Sequence, residues 1–197
     1  MTEALVNVRR PTDRVILLLS AKPYFGLGLI LPDRVAIHVH RYWMVCDRIA
    51  VSQLKLSKQA KVTFINVYAP QMRRYAEEFD AFYDTLQQTT QRYRHQLFFI
   101  LREFNAKIGQ RCEGETFLGL YSRGYRNDNG IRFRDFCAEN DFFLSNTAFY
   151  KKRARNITTW QGISGRGPIF NQIDYIILPL RFKAASFQFT ILERETC

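Results

Sequence analysis

Two apolar runs, residues 62–68 and 97–101, with an amphipathic stretch between them, most constrain what this chain can fold into. The first run is rich in Val, Ile and Phe, residues that suit a pleated sheet surface. Ala69-Pro70 stops it, because proline has no N–H to give a sheet ladder. Between the runs, Met72, Tyr75, Phe79, Phe82 and Leu86 recur at steps of three and four, with Arg73, Arg74, Glu77, Glu78 and Asp80 among them. That spacing predicts a helix with one apolar face. Further strands are expected at 15–19, 27–31, 35–40 and 48–56. A polar loop should run through Gly109, Gly114, Gly119 and Gly124. Asn127-Asp128-Asn129-Gly130 is a turn and helix-start signal. The helix after it, 131–140, is expected to bury Ile131, Phe136 and Cys137. Strands at 142–145, 157–160 and 173–178 complete the pattern, the last two separated by a Gly-rich turn over 162–167. Strands alternating with two helices predict a mixed α/β layered fold.

Length and apolar content, 197 residues and 47%, suit one domain with a real core. One domain over 1–197 is therefore expected, with residues 1–13 disordered. The net charge is +11, and Arg outnumbers Lys by 21 to 8. The planar guanidinium matches phosphate oxygens in pairs, so an acidic partner, nucleic acid first, is favoured. Cys46, Cys112, Cys137 and Cys197 are widely spaced with no C-x-x-C pair. That pattern favours neither a zinc site nor a disulfide framework and suits a reducing compartment. The run at 15–19 is too short and too charged in its flanks for a signal peptide, and no stretch approaches a membrane span. An intracellular protein, nuclear or cytoplasmic, is expected.

Chemistry concentrates after the second apolar run, in Glu103-Phe104-Asn105-Ala106-Lys107-Ile108-Gly109. Residues two apart on a strand project to one side, so Glu103 and Asn105 should face the crevice at the strand's carboxyl end, where α/β sheets bind ligands. This block is similar to the G-D-F-N-A-x-I-G block of the endonuclease/exonuclease/phosphatase superfamily, and Ile65-Asn66-Val67-Tyr68-Ala69-Pro70 is similar to its V-Y-A-P block. Arg126-Asn127-Asp128-Asn129-Gly130, Phe136-Cys137, Ser145-Asn146-Thr147, Thr159-Trp160 and Gln172-Ile173-Asp174-Tyr175-Ile176 resemble later blocks in the same order. Upstream, Tyr24-Phe25-Gly26 and Cys46-Asp47-Arg48-Ile49 agree. The nearest resemblance is to non-LTR retrotransposon endonuclease domains and craniofacial-development-protein-like sequences.

The resemblance implies a DNase I-like α/β sandwich, two packed sheets flanked by helices, and Mg²⁺-dependent hydrolysis of DNA phosphodiesters. It assigns Tyr68 and Asn105 to phosphate contacts, Glu103 to the water-orienting carboxylate position and Asp174 to the support of a catalytic His. Each has a plainer reading. Tyr68 can be a strand-end aromatic, Asn105 a turn cap, and Trp160 a core residue rather than a stacking platform. Asn129, Lys151, Lys152, Arg153, Arg155 and Trp160 are the expected nucleic-acid contacts, with Arg92, Arg94, Arg132 and Arg134 as further cations. The chain departs from the family at Arg102-Glu103, where the family has Gly-Asp. Glu reaches one methylene further, and a displacement near an ångström costs on the order of a hundredfold in rate. The family's early Q-E-T block and terminal S-D-H block find no match, so the domain is expected to be incomplete at both ends and impaired in cleavage. A non-catalytic basic module that grips nucleic acid is the alternative, and a small-molecule or lipid phosphatase is the third.

Overall fold

The computed structural model describes residues 4–9, 14–19, 27–71, 74–150, 157–165 and 167–185, with side chains from residue 27 onward. The chain divides into two compact units, Met1–Pro70 with Arg74–Arg102, and Gln71–Arg73 with Glu103–Cys197.

In the first unit, β1 (Ala4–Arg9), β2 (Arg14–Leu19) and β3 (Ile30–Pro32) form an antiparallel sheet. Residues 35–40 do not form the expected strand. Pro32 stands at an N-cap with Asp33 after it, and α1 (Asp33–Ala36) takes the first part before β4 (Val39–Cys46) begins. Proline's fixed φ and an acidic first residue both suit a helix start, and they override the local β-propensity. Leu31, Ala36 and Leu54 form a small core with Leu29, Val35, Val39 and Phe64 against it.

β4 pairs antiparallel with β5 (Ile49–Lys55), and β5 with β6 (Lys61–Tyr68). A polar chain crosses these three strands. Arg41 Nε donates to Gln53 Oε1 at 2.7 Å, and Gln53 Nε2 donates to Thr63 Oγ1 at 3.0 Å, so the buried Gln53 amide is satisfied at both ends. The expected amphipathic helix is α2 (Ala76–Gln91), which buries Phe79, Phe82 and Leu86. Tyr75 instead caps it and stays exposed. Then comes β7 (Leu97–Glu103), where Phe99 stacks on Phe64 at 5.6 Å.

In the second unit a long loop leads to α3 (Asp128–Glu139). Asn127 caps it, its side chain accepting from the Gly130 N–H at 2.9 Å, as the turn signal predicts. The buried face is Phe133, Phe136 and Cys137, while Ile131 is 42% exposed. A Cβ on Gly130 would collide with the Lys107 carbonyl, so the first turn lies this close to the preceding loop only because residue 130 is glycine. β8 (Phe142–Leu144) follows, then a 3-10 turn, Ser145–Thr147. Residues 157–160 were expected to form a strand, but β9 (Trp160–Ser164) starts where that stretch ends. It pairs with β10 (Gly167–Asn171) as an antiparallel hairpin, so much of the Gly-rich turn is itself strand. The Trp160 ring covers the face of Gly162, a close approach only a residue without Cβ permits. β11 (Asp174–Pro179) pairs antiparallel with β8.

Candidate functional site

The second unit opens on the Glu103-to-Gly109 segment. Burial alternates along it: Phe104, Ala106 and Ile108 are buried, and Glu103, Asn105 and Lys107 are half-buried. The strand-like period outlasts the strand, although Asn105 itself adopts a left-handed φ of 48°. Asn tolerates that region better than most residues.

Phe104 anchors the segment. Its ring stacks on Phe133 with centroids 4.2 Å apart, and Tyr175 packs against both rings. The Phe104 N–H donates to the Ile173 carbonyl at 2.9 Å. That bond lays residues 103–105 alongside 173–174, which brings Glu103, Asn105 and Asp174 to one locality.

Each of these positions has a fixed backbone. The Asn105 carbonyl accepts from Asn129 Nδ2 at 2.9 Å. Asn127 Oδ1 accepts from the Lys107 N–H at 2.9 Å as well as from Gly130, so one amide caps the helix and ties down the loop. Asp174 donates its N–H to Thr159 Oγ1 at 3.2 Å, and its carbonyl accepts from Asn146 Nδ2 at 3.1 Å. Asn146 Oδ1 accepts from the Ile176 N–H at 3.1 Å, completing a two-point grip on β11. Tyr175 Oη accepts from the Ile108 N–H at 3.2 Å and lies 3.1 Å and 2.9 Å from the Ala106 and Gln172 carbonyls, which share its single proton. Burial pushes its phenol far above the ordinary range, with the Asp174 charge adding to it, so it stays a neutral donor.

A second device holds the loop between residues 109 and 126. Arg126 makes a bidentate pair with Glu115, at 2.5 Å and 2.8 Å, and its Nε donates to the Ile108 carbonyl at 2.7 Å. Burial pushes the Glu115 carboxyl up. The Arg126 hydrogen bond, the Cys112 N–H and the Arg126 and Arg134 charges outweigh that and hold it below its usual range.

Of the residues singled out from sequence, Glu103, Asn105, Asn129 and Asp174 share this neighbourhood. Asn129 is buried with its amide on the Asn105 backbone, a positioning contact. Tyr68 ends β6 in the first unit, half-buried, with the Arg48 guanidinium 6.0 Å from its ring centroid. Trp160 is 43% exposed at the start of the hairpin rather than in the core. Lys151, Lys152, Arg153 and Arg155 lie outside the described residues. Asn146, Thr159 and Tyr175 sit inside motifs visible in the sequence, but their grip on the backbone depends on contacts 14 to 69 residues apart.

The resemblance implies a divalent metal here. Among the described residues no group of three or more His, Cys, Asp or Glu side chains stands close enough to hold one. Magnesium keeps several waters and takes one or two protein carboxylates, so Glu103 and Asp174 are the residues that would hold it here.

No family model matches the sequence. The chain is similar to craniofacial development protein 2 of Tragulus javanicus and of Bos taurus, 34% identical to each over 164 residues. Those residues are 81% of this chain but only 27% and 26% of the relatives, so the chain spans about a quarter of their length. Among solved structures, the endonuclease domain of TRAS1, a telomere-specific non-LTR retrotransposon, superposes with a TM-score of 0.55 at 11% identity, over 91% of this chain and 74% of that domain. The fold is the DNase I-like α/β arrangement shared with that endonuclease domain. Within this fold, the α3 cap and the β11 clamp hold the motif residues that carry the resemblance. No helix among the described residues is long and apolar enough to cross a membrane.

Proposed function

We propose that this chain binds nucleic acid through its phosphodiester backbone, on an endonuclease-type scaffold. The observation that supports this most is the Phe104–Ile173 hydrogen bond, which gathers Asn105 and Asp174 on a locked backbone within the DNase I-like fold. A surplus of +11 draws the polyanion in. Exposed Arg111 and Arg123 belong to the loop that follows Asn105, whereas Arg126 and Arg134 are engaged with Glu115 and Asp135. The Asn105 carboxamide offers an N–H donor to a phosphate oxygen.

A second reading, slow phosphodiester hydrolysis, is favoured by the two carboxylates Glu103 and Asp174 flanking that same hydrogen bond. One experiment separates the two. Purified protein is titrated against labelled duplex DNA and, in parallel, incubated with supercoiled plasmid with and without Mg²⁺. Salt-sensitive binding without nicking is the expected result. Nicking that needs Mg²⁺ and is lost in Glu103→Ala and Asp174→Ala establishes the second reading. Absence of DNA binding at low salt overturns the first.

A further inference from the structure

The second unit contains a cleft of about 220 Å³, and Lys107, Arg123, Tyr125, Phe170 and Gln172 line it. Three features of its wall are unusual together. Tyr125 and Phe170 keep aromatic rings 66% and 56% exposed, a cost in water that a stacking partner removes. Lys107 and Arg123 place cationic side chains at the same opening, with Lys107 Nζ held against Tyr125 by a 2.9 Å hydrogen bond and a 4.6 Å approach to the ring centroid. Gln172 Oε1 is buried and meets no hydrogen-bond donor among the described residues.

The last feature narrows the ligand. A buried acceptor without a donor costs about 1–3 kcal/mol, and a turn about the terminal side-chain bond presents it to whatever fills the cleft. The occupant therefore needs a planar ring for the aromatics, an N–H donor for Gln172 and a phosphate within reach of Lys107 and Arg123. The cleft is smaller than a drug-sized pocket, for which about 300 Å³ is the lower bound, so it suits one ring system rather than a whole ligand.

We infer that this cleft is a subsite for one nucleobase that carries an exocyclic amino group, on a strand whose phosphates lie over Lys107 and Arg123. The inference rests on the nucleic-acid reading above and deepens it. Gln172 accepts from the amino group, and Phe170 and Tyr125 take the face of the ring. Thymine carries a carbonyl where cytosine has its amino group, so its oxygen faces the Gln172 acceptor and only its ring N3–H is left to donate.

The test compares single-stranded ten-mers of deoxycytidine and thymidine, two pyrimidines of similar size, by fluorescence anisotropy on the full chain. Deoxycytidine oligomers are expected to bind about tenfold more tightly, the upper range for one neutral hydrogen bond. Gln172→Leu should abolish that preference, so that the two oligomers bind alike, while Gln172→Glu, which keeps an acceptor, should retain it. Phe170→Ala should weaken both oligomers, by about five- to a hundredfold. Equal affinity for the two oligomers, or a preference that survives Gln172→Leu, overturns the subsite and leaves backbone binding standing. No binding of either oligomer or of duplex DNA overturns both. A thermal melt of each variant confirms that the fold is retained.

Discussion

Arg102 occupies the position where the superfamily motif carries glycine, and its backbone still adopts the glycine conformation, with φ at 99°. An L side chain held there costs on the order of 1–3 kcal/mol. The Arg102 Nη2 contact to the Gly28 carbonyl, at 3.3 Å, offsets only a little of that. Arg102→Gly is therefore expected to stabilise the chain by about 1 kcal/mol after the extra chain entropy of glycine. Thermal or urea denaturation reads this directly, and an unchanged or lower midpoint contradicts it. Asn105, also at positive φ, allows backbone and side chain to be separated. Asn105→Gly should relieve the left-handed strain and still weaken DNA binding, because the carboxamide is lost. Asn105→Ala should lose the same binding and a further ~1 kcal/mol of stability from left-handed strain. If both variants bind DNA as the parent does, the carboxamide does not touch the phosphate.

Among the elements, the loop between β7 and α3 depends most on one contact, the Glu115–Arg126 pair. Its partners are mostly buried, with side-chain exposures of 11% and 15%, so the pair escapes much of the solvent screening that weakens surface ion pairs. Glu115→Gln should cost about 2 kcal/mol at neutral pH, the scale of a charged hydrogen bond. Because folding depresses the Glu115 pKa, its contribution is fully present above the ordinary value of 4.5 and is lost as pH falls through the lower folded value. The stability gap between parent and variant, followed by urea titration from pH 7 to pH 3, should close in that acid window. A gap that stays constant would place the pair outside the energetics of the loop. The same region shows what the sequence could and could not tell. The α3 cap was legible, because Asn127 and Gly130 act on neighbours three residues away. The close seat of the helix's first turn was not, because it depends on a carbonyl 23 positions earlier, at Lys107. Likewise Glu103, Asn105 and Asp174 stood out by motif, whereas the hydrogen bond that gathers them spans residues 104 and 173. The β9–β10 hairpin departs from the expected turn for a local reason: Gly162, a residue type that usually marks turns, here makes room for the Trp160 ring.

For the whole molecule, the charge surplus makes its own quantitative demand. Each phosphate neutralised releases condensed counterion, so the logarithm of affinity for duplex DNA falls with the logarithm of salt at a slope of about −0.9 per contact. A footprint of about four contacts, two of them from Arg111 and Arg123, implies a slope near −3.6, or about a hundredfold weaker binding between 50 mM and 200 mM salt. Arg123→Gln should reduce the slope by about one and weaken cytidine and thymidine oligomers alike, because a phosphate contact carries no base information. Gln172→Leu should leave the slope untouched and change only base preference. The two variants thus probe electrostatic capture and base reading independently on the same cleft. A slope near zero for the parent chain would mean that its +11 charge serves something other than a polyphosphate backbone.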